Sequence, residues 1–124
     1  FRDLRAAAES GWDFSSRWFK DQKNLSSIHT TEFIPVDLNA LLYQLEINLA
    51  KAYALQKEVE KSQKIQLLAE KRKKAILQYL WSENQGFFGD YDFVKKEFNP
   101  VLSLAGVFPL CFNMATSTQA QKVS

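Results

Sequence analysis

VDLNALLYQLEINLAKAYAL, residues 36–55, decides the fold class of this chain. Leu38, Leu41, Leu42, Leu45, Leu49 and Ala52 recur at the three- and four-residue spacings that line one face of an α-helix. Neither Gly nor Pro interrupts the run, and Asp37 is the expected N-cap. After a short polar link at Gln56 and Lys57, residues 58–81 repeat the pattern with Ile65, Leu68, Ala69, Arg72, Ile76, Tyr79 and Leu80. So short a link makes the two helices antiparallel neighbours. An all-α architecture of helical hairpins is the expectation.

Working outward, RDLRAAAE, residues 2–9, is rich in helix formers, and Ser10-Gly11 is a stop signal. Residues 12–35 keep no helical period and read as a long, ordered aromatic loop, of the kind that often carries function. NQGFFGDYDF, residues 84–93, sets two glycines among aromatics, the mark of a turn or short hairpin, so the second long helix must end before Gly86. Residues 100–112 are apolar nearly throughout and are expected to be buried on several sides, with Pro109 limiting any helix. A last helix is expected to start near Thr116.

Composition narrows the function. With 124 residues, 46% hydrophobic and 24% charged, the chain is the size of one globular domain. Its 16 basic and 14 acidic residues leave a net charge of +2, a balanced surface that gives no reason to expect nucleic acid. No apolar run approaches the ~20 residues of a membrane span. One Cys and one His exclude an intrachain disulfide and a Cys/His zinc set, and no metal site is expected. Cys111 reads as a small buried hydrophobe. The start, FRDLRAAAES, has no signal-peptide pattern, which leaves periplasm, cytoplasm and the outside of the cell open. It also lacks Met, and QAQKVS ends within a predicted helix, so a piece of a longer chain is expected, with no complete domain boundary inside residues 1–124.

The densest chemistry lies in RAAAESGWDFSSRW, residues 5–18. Asp13 stands between Trp12 and Phe14, with Trp18 and Phe19 following. A carboxyl group in a dry aromatic pocket resists ionising and can donate a proton near neutral pH, which is what a general acid requires. Gly11 lets backbone approach a ligand, and the planar forks of Arg5 and Arg17 can hold carboxylates or hydroxyls. The plainer alternative is a turn Asp beside core tryptophans. Elsewhere the plain readings are preferred. EKRKK, residues 70–74, is a solvated helix face with Glu70 and Lys74 one turn apart. His29 serves a local hydrogen bond, and Asp90 and Asp92 are turn residues.

RAAAESGWDFSSRW and TTEFIPVDLNALL, followed by YLW, GDYDF and VFPL, resemble the trehalases of glycoside hydrolase family 37 over essentially the whole chain. The resemblance implies a soluble (α/α)6 barrel that hydrolyses α,α-trehalose to two glucose molecules with inversion, without metal or organic cofactor. It makes Asp13 the general acid and places Gly11 against the sugar, with Trp12, Arg5, Glu9 and Arg17 in supporting roles. Inversion also needs an opposed carboxylate base about 6.5–9.5 Å from the acid. In the family that base lies far towards the C-terminus, so Glu32, Glu46 and Glu83 are not taken as substitutes. The chain would then be part of one catalytic domain and depend on the rest of the parent chain. Its barrel-facing apolar surface is expected over residues 101–112, and the isolated piece is expected to be inactive and marginally stable. Two other readings stand beside this one: a segment of another (α/α)6 glycosidase or sugar-binding relative, and a small helical scaffold whose aromatic loop binds a protein.

Overall fold

A computed structural model describes residues 1–13 and 15–123, so Phe14, named above as a neighbour of Asp13, lies outside the described residues. Five α-helices are described: α1 (Arg2–Glu9), α2 (Val36–Leu55), α3 (Val59–Tyr79), α4 (Phe108–Cys111) and α5 (Ser117–Val123). Each of the first three follows its sequence signal. α1 stops at Ser10 because Gly11 turns left-handed, at φ +75°. α2 and α3 are joined through Gln56 and Lys57 and run antiparallel. Ser62 Oγ donates to the Ala50 carbonyl at 2.8 Å near the link, while Arg72 reaches Glu46 and Asn39 further along. Pro109 sits in the first turn of the four-residue α4, where its missing N–H costs nothing.

The chain is mainly helical, but it is not all-α. β2 (Trp81–Ser82) and β3 (Phe87–Phe88) form a hairpin, with Trp81 opposite Phe88; it starts before residues 84–93, where a turn or short hairpin was expected, and takes Trp81 out of the helical pattern. A second antiparallel sheet, in the order β1-β4-β5, was not foreseen; it pairs β4 (Tyr91–Asp92) with β1 (Phe33–Ile34) and with β5 (Glu97–Phe98). Strands of two residues are too short for an alternating pattern to register in sequence. The long loop is ordered, as expected, by 3-10 turns at Ser16–Trp18, Leu25–Ser27 and Thr30–Glu32. Within it Asp21 accepts from the Asn24 N–H at 2.8 Å, the Ser27 hydroxyl at 2.7 Å and the Lys23 N–H at 3.0 Å. These bonds, the Asn24 N–H first, hold its carboxyl well below the usual carboxylate range.

The core joins these parts. Val36, Ala40, Ile76, Leu80, Phe88, Ala105 and Met114 bury one cluster between α2, α3, the hairpin and the segment before α5. Ala7, Trp18 and Phe19 bury a second between α1 and the loop, and Trp12 packs on both. Gly106 is required at the first cluster, because a Cβ there would run into the Phe88 carbonyl and the Phe87 ring.

Two burial expectations are corrected. The predicted α2 stripe faces out: Leu38, Leu41, Leu45 and Leu49 are between 40% and 53% exposed. The neighbouring face, with Val36, Ala40 and Ala50, is the buried one. Periodicity finds an apolar face but does not say which partner covers it. Residues 101–112 divide: Ala105, Gly106 and Pro109 are buried, whereas Leu102, Leu104 and Cys111 are exposed. Cys111 is thus not the buried hydrophobe its neighbours suggest.

Candidate active site

The SGWD turn follows directly from the end of α1. Ser10 Oγ donates to the Ala7 carbonyl at 2.6 Å and accepts the Trp12 N–H at 3.1 Å, so the chain leaves the helix along a fixed path. Gly11 then turns left-handed, with open space where a Cβ would stand. Backbone there is accessible to a ligand, and a side chain would be opposed by the positive φ rather than by a neighbour. Asp13 follows and is exposed. It lines a small cavity of about 50 Å³ with Leu4, Ala7, Ala8 and Ile28. The expected dry aromatic pocket is therefore not built by the described residues.

The tryptophans are occupied otherwise. Trp12 directs its indole N–H to Asp37 Oδ2 at 2.6 Å, and Trp18 directs its own to the Trp12 carbonyl at 3.0 Å. Between them lies Arg17, which is fully buried. Its guanidinium carbon is 4.2 Å from the Trp18 ring centroid and 5.2 Å from that of Trp12. One edge of the fork takes Asp90, through Nε at 2.8 Å and Nη2 at 2.5 Å; the other takes Asp37, through Nη2 at 3.1 Å and Nη1 at 3.3 Å. Burial pulls the Arg17 pKa down, but the bonds and charges of Asp90, then of Asp37, more than offset this and raise it.

Two buried carboxylates against one guanidinium leave an excess negative charge. The N-terminus of α2 meets it: the Val36 N–H donates to Asp90 Oδ1 at 3.0 Å, and Asp37 lies in the helix's first turn. Asp37 is consequently not the N-cap; Pro35 holds that position, and the Asp37 carboxylate is drawn to Arg17 and Trp12 because a buried guanidinium requires counter-charge. Asp90 is likewise not a mere turn residue. Asn99, beyond β5, completes the knot by donating to the Arg17 carbonyl at 2.9 Å.

The remaining candidates lie apart. Arg5 and Glu9 pair with each other at 2.8 Å on the exposed face of α1. Arg72, expected on a solvated face, is instead half-buried, holding Glu46 with Nη2 at 2.8 Å and Asn39 with Nη1 at 2.9 Å. Asp92, expected in a turn, is instead the buried last residue of β4, and its carboxylate accepts the N–H groups of Val94 and Lys95 in the turn that follows. His29 is buried against Phe33, and its ring makes no hydrogen bond among the described residues; its Nε2 lies 3.6 Å from Asp92 Oδ2. His29, Glu32 and Asp92 bring donor atoms within 4.8 Å of one another, the spacing of a metal site. Lys20, 3.4 Å from the Glu32 carboxylate, already supplies positive charge there. A groove of about 510 Å³ runs beside Trp18, Asp37, Leu38 and Leu41. Its walls are mainly hydrocarbon, which suits a packing partner better than a sugar.

Asp37, Asp90 and Asn99 escaped the sequence reading. The available signal was Arg17 itself: an arginine between two aromatic residues that are destined for burial needs acids drawn from elsewhere in the chain. An exposed carboxyl on a turn anchored to such a knot, after a glycine whose surroundings are open, is accessible to a polar ligand.

The trehalase family model matches residues 1–124. The chain belongs to the trehalase family. It is 48% identical over 124 residues to the periplasmic trehalases of Salmonella paratyphi C, Salmonella choleraesuis and Salmonella agona. Those alignments cover 100% of this chain and 22% of each relative, so the chain spans about a fifth of the length of the trehalases it matches. No helix among the described residues is long and apolar enough to cross a membrane.

Proposed function

We propose that this chain carries the general acid of an inverting α,α-trehalase, with Asp13 in that role. Its carboxyl proton passes to the glycosidic oxygen as the bond from that oxygen to the anomeric carbon breaks. Water attacks the same carbon from the opposite face and gives its proton to a carboxylate base. The products are one α- and one β-glucose. Gly11 lies against the sugar, its open φ-positive backbone leaving room for hydroxyls. Trp12 and Arg17 support the turn from behind, and the exposed Arg5–Glu9 pair borders it. The base comes from another part of the full-length protein.

The observation that carries this reading is the presentation of Asp13. In a trehalase-family chain the SGWD carboxylate is exposed and makes no hydrogen bond among the described residues, while Trp12 before it is held by Ser10, Asp37 and Trp18. The same reading makes the chain a segment of an (α/α)6 barrel, and the surface supports it. A compact monomer of this mass exposes roughly 6,800 Å². This chain exposes 8001 Å², and the α2 leucine row contributes to the excess. The excess of roughly 1,200 Å² is larger than the ~800 Å² one partner gives to an ordinary interface. The names of the matching relatives make the periplasm the expected compartment.

The test is trehalose hydrolysis by the full-length protein, wild type against Asp13→Asn, with the glucose anomers followed by NMR. Loss of the acid is expected to lower kcat by on the order of 10²- to 10⁴-fold in a folded variant. A variant that retains wild-type turnover, or a wild type releasing only one anomer, overturns the assignment.

A further inference from the structure

The peptide that carries Asp13 is fixed at more points than a surface turn needs. All three polar groups of Trp12 are engaged: its N–H by Ser10 Oγ at 3.1 Å, its indole N–H by Asp37 Oδ2 at 2.6 Å, and its carbonyl by the Trp18 indole at 3.0 Å and the Ser15 N–H at 3.2 Å. The strongest of these by length and charge is the bond to Asp37, a carboxylate acceptor. Asp37 has no freedom to drift, because Arg17 grips both of its oxygens and is itself gripped by Asp90. A chain of charge-assisted bonds therefore runs from α2 and the start of β4 to the residue next to the proposed acid.

We propose that Asp37 is a positioning residue for Asp13, acting through the Trp12 indole; this rests on the reading of Asp13 as the general acid. Asp37 does not line the small cavity at Asp13, so its effect passes through Trp12. What it supplies is aim. Displacing a reacting group by about 1 Å can cost on the order of 10²-fold in rate. Asp13 is exposed and its side chain makes no hydrogen bond among the described residues, so its placement depends on its backbone.

Two leaving groups separate positioning of an acid from general support of the fold. Trehalose leaves as a glucose alkoxide and needs the proton, whereas a glucosyl fluoride leaves as fluoride and does not. Trp12→Phe in the full-length protein removes the indole N–H, at the cost of one of the two fused rings, and keeps an aromatic ring at that position. Asp37→Asn, the second variant, keeps the side-chain shape and removes the charge. In both, kcat for trehalose is expected to fall by about 10- to 100-fold, with KM for trehalose and turnover of the fluoride within about threefold of wild type. Equal losses on the two substrates in these variants, or no loss on either, overturn the positioning role. Asp13→Asn run alongside identifies which idea has failed. If it too loses both activities equally, the acid assignment falls and takes the positioning role with it. If it loses trehalose alone while the other two variants do not, only the positioning role falls.

Discussion

One helix treats its two ends of chemistry in opposite ways. At the start of α2, Asp37 is buried with Arg17 and Asp90 in a knot whose partners all lie within this chain. Along the same helix Leu38, Leu41, Leu45 and Leu49 face outwards. A buried charge without its partner costs several kcal/mol, so such a cluster must be complete wherever it occurs. Exposed hydrocarbon costs only about 25 cal/mol per Å², so a leucine row can wait for cover from elsewhere. The support of the proposed acid is thus self-contained, and the apolar face is not.

The most damaging way to test that contrast is to break the knot. Arg17→Met leaves Asp37 and Asp90 buried without a cation, and urea denaturation of the full-length protein is expected to show a loss of about 3–5 kcal/mol. A loss under about 1 kcal/mol would mean that water reaches the knot and that its completeness is immaterial. The leucine row supplies the next largest effect. If another segment covers it in the full-length protein, Leu45→Ala costs about 2–5 kcal/mol, as for a core leucine. If the row stays in solvent there, the change is within about 0.5 kcal/mol, and the barrel-segment proposal loses its main support.

The smallest effect concerns Asp3, which ties α1 to the loop through the Thr31 N–H at 2.9 Å and hydroxyl at 2.7 Å. The Thr31 N–H is the main reason its pKa is lowered. A depressed carboxylate contributes fully above its unfolded value, near 3.9, and the contribution is lost as pH falls through the lower folded value. Asp3→Asn should therefore cost about 1 kcal/mol at neutral pH, with the gap to wild type closing as pH falls below the unfolded carboxylate value. A gap that persists unchanged into acid would show that the carboxylate's charge is not what Thr31 reads.

Much of this molecule was legible beforehand. The bounds of α2 and α3, the stop at Gly11, the hairpin after Trp81 and the last helix all followed from local rules of spacing, glycine and proline. The SGWD string and its neighbours pointed to the family that the whole-chain match then gave. The partners of Arg17 were not legible, because Asp37 lies 20 residues away and Asp90 lies 73. Nothing in a one-dimensional pattern marks which acids will meet. Asp37 even carried a persuasive local alternative as an N-cap, one that the buried guanidinium outcompeted.

The division has a physical basis. The sequence by itself determined the elements whose energetics are local: helix spans, turns, and a carboxylate set beside a glycine in a recognisable string. Only the tertiary structure decided which face of α2 is buried, that Asp13 is exposed while Trp12 and Trp18 are committed to hydrogen bonds, and that Arg17 is satisfied by two distant acids. Burial and charge pairing depend on what arrives from elsewhere in the chain, and that is set by packing in three dimensions.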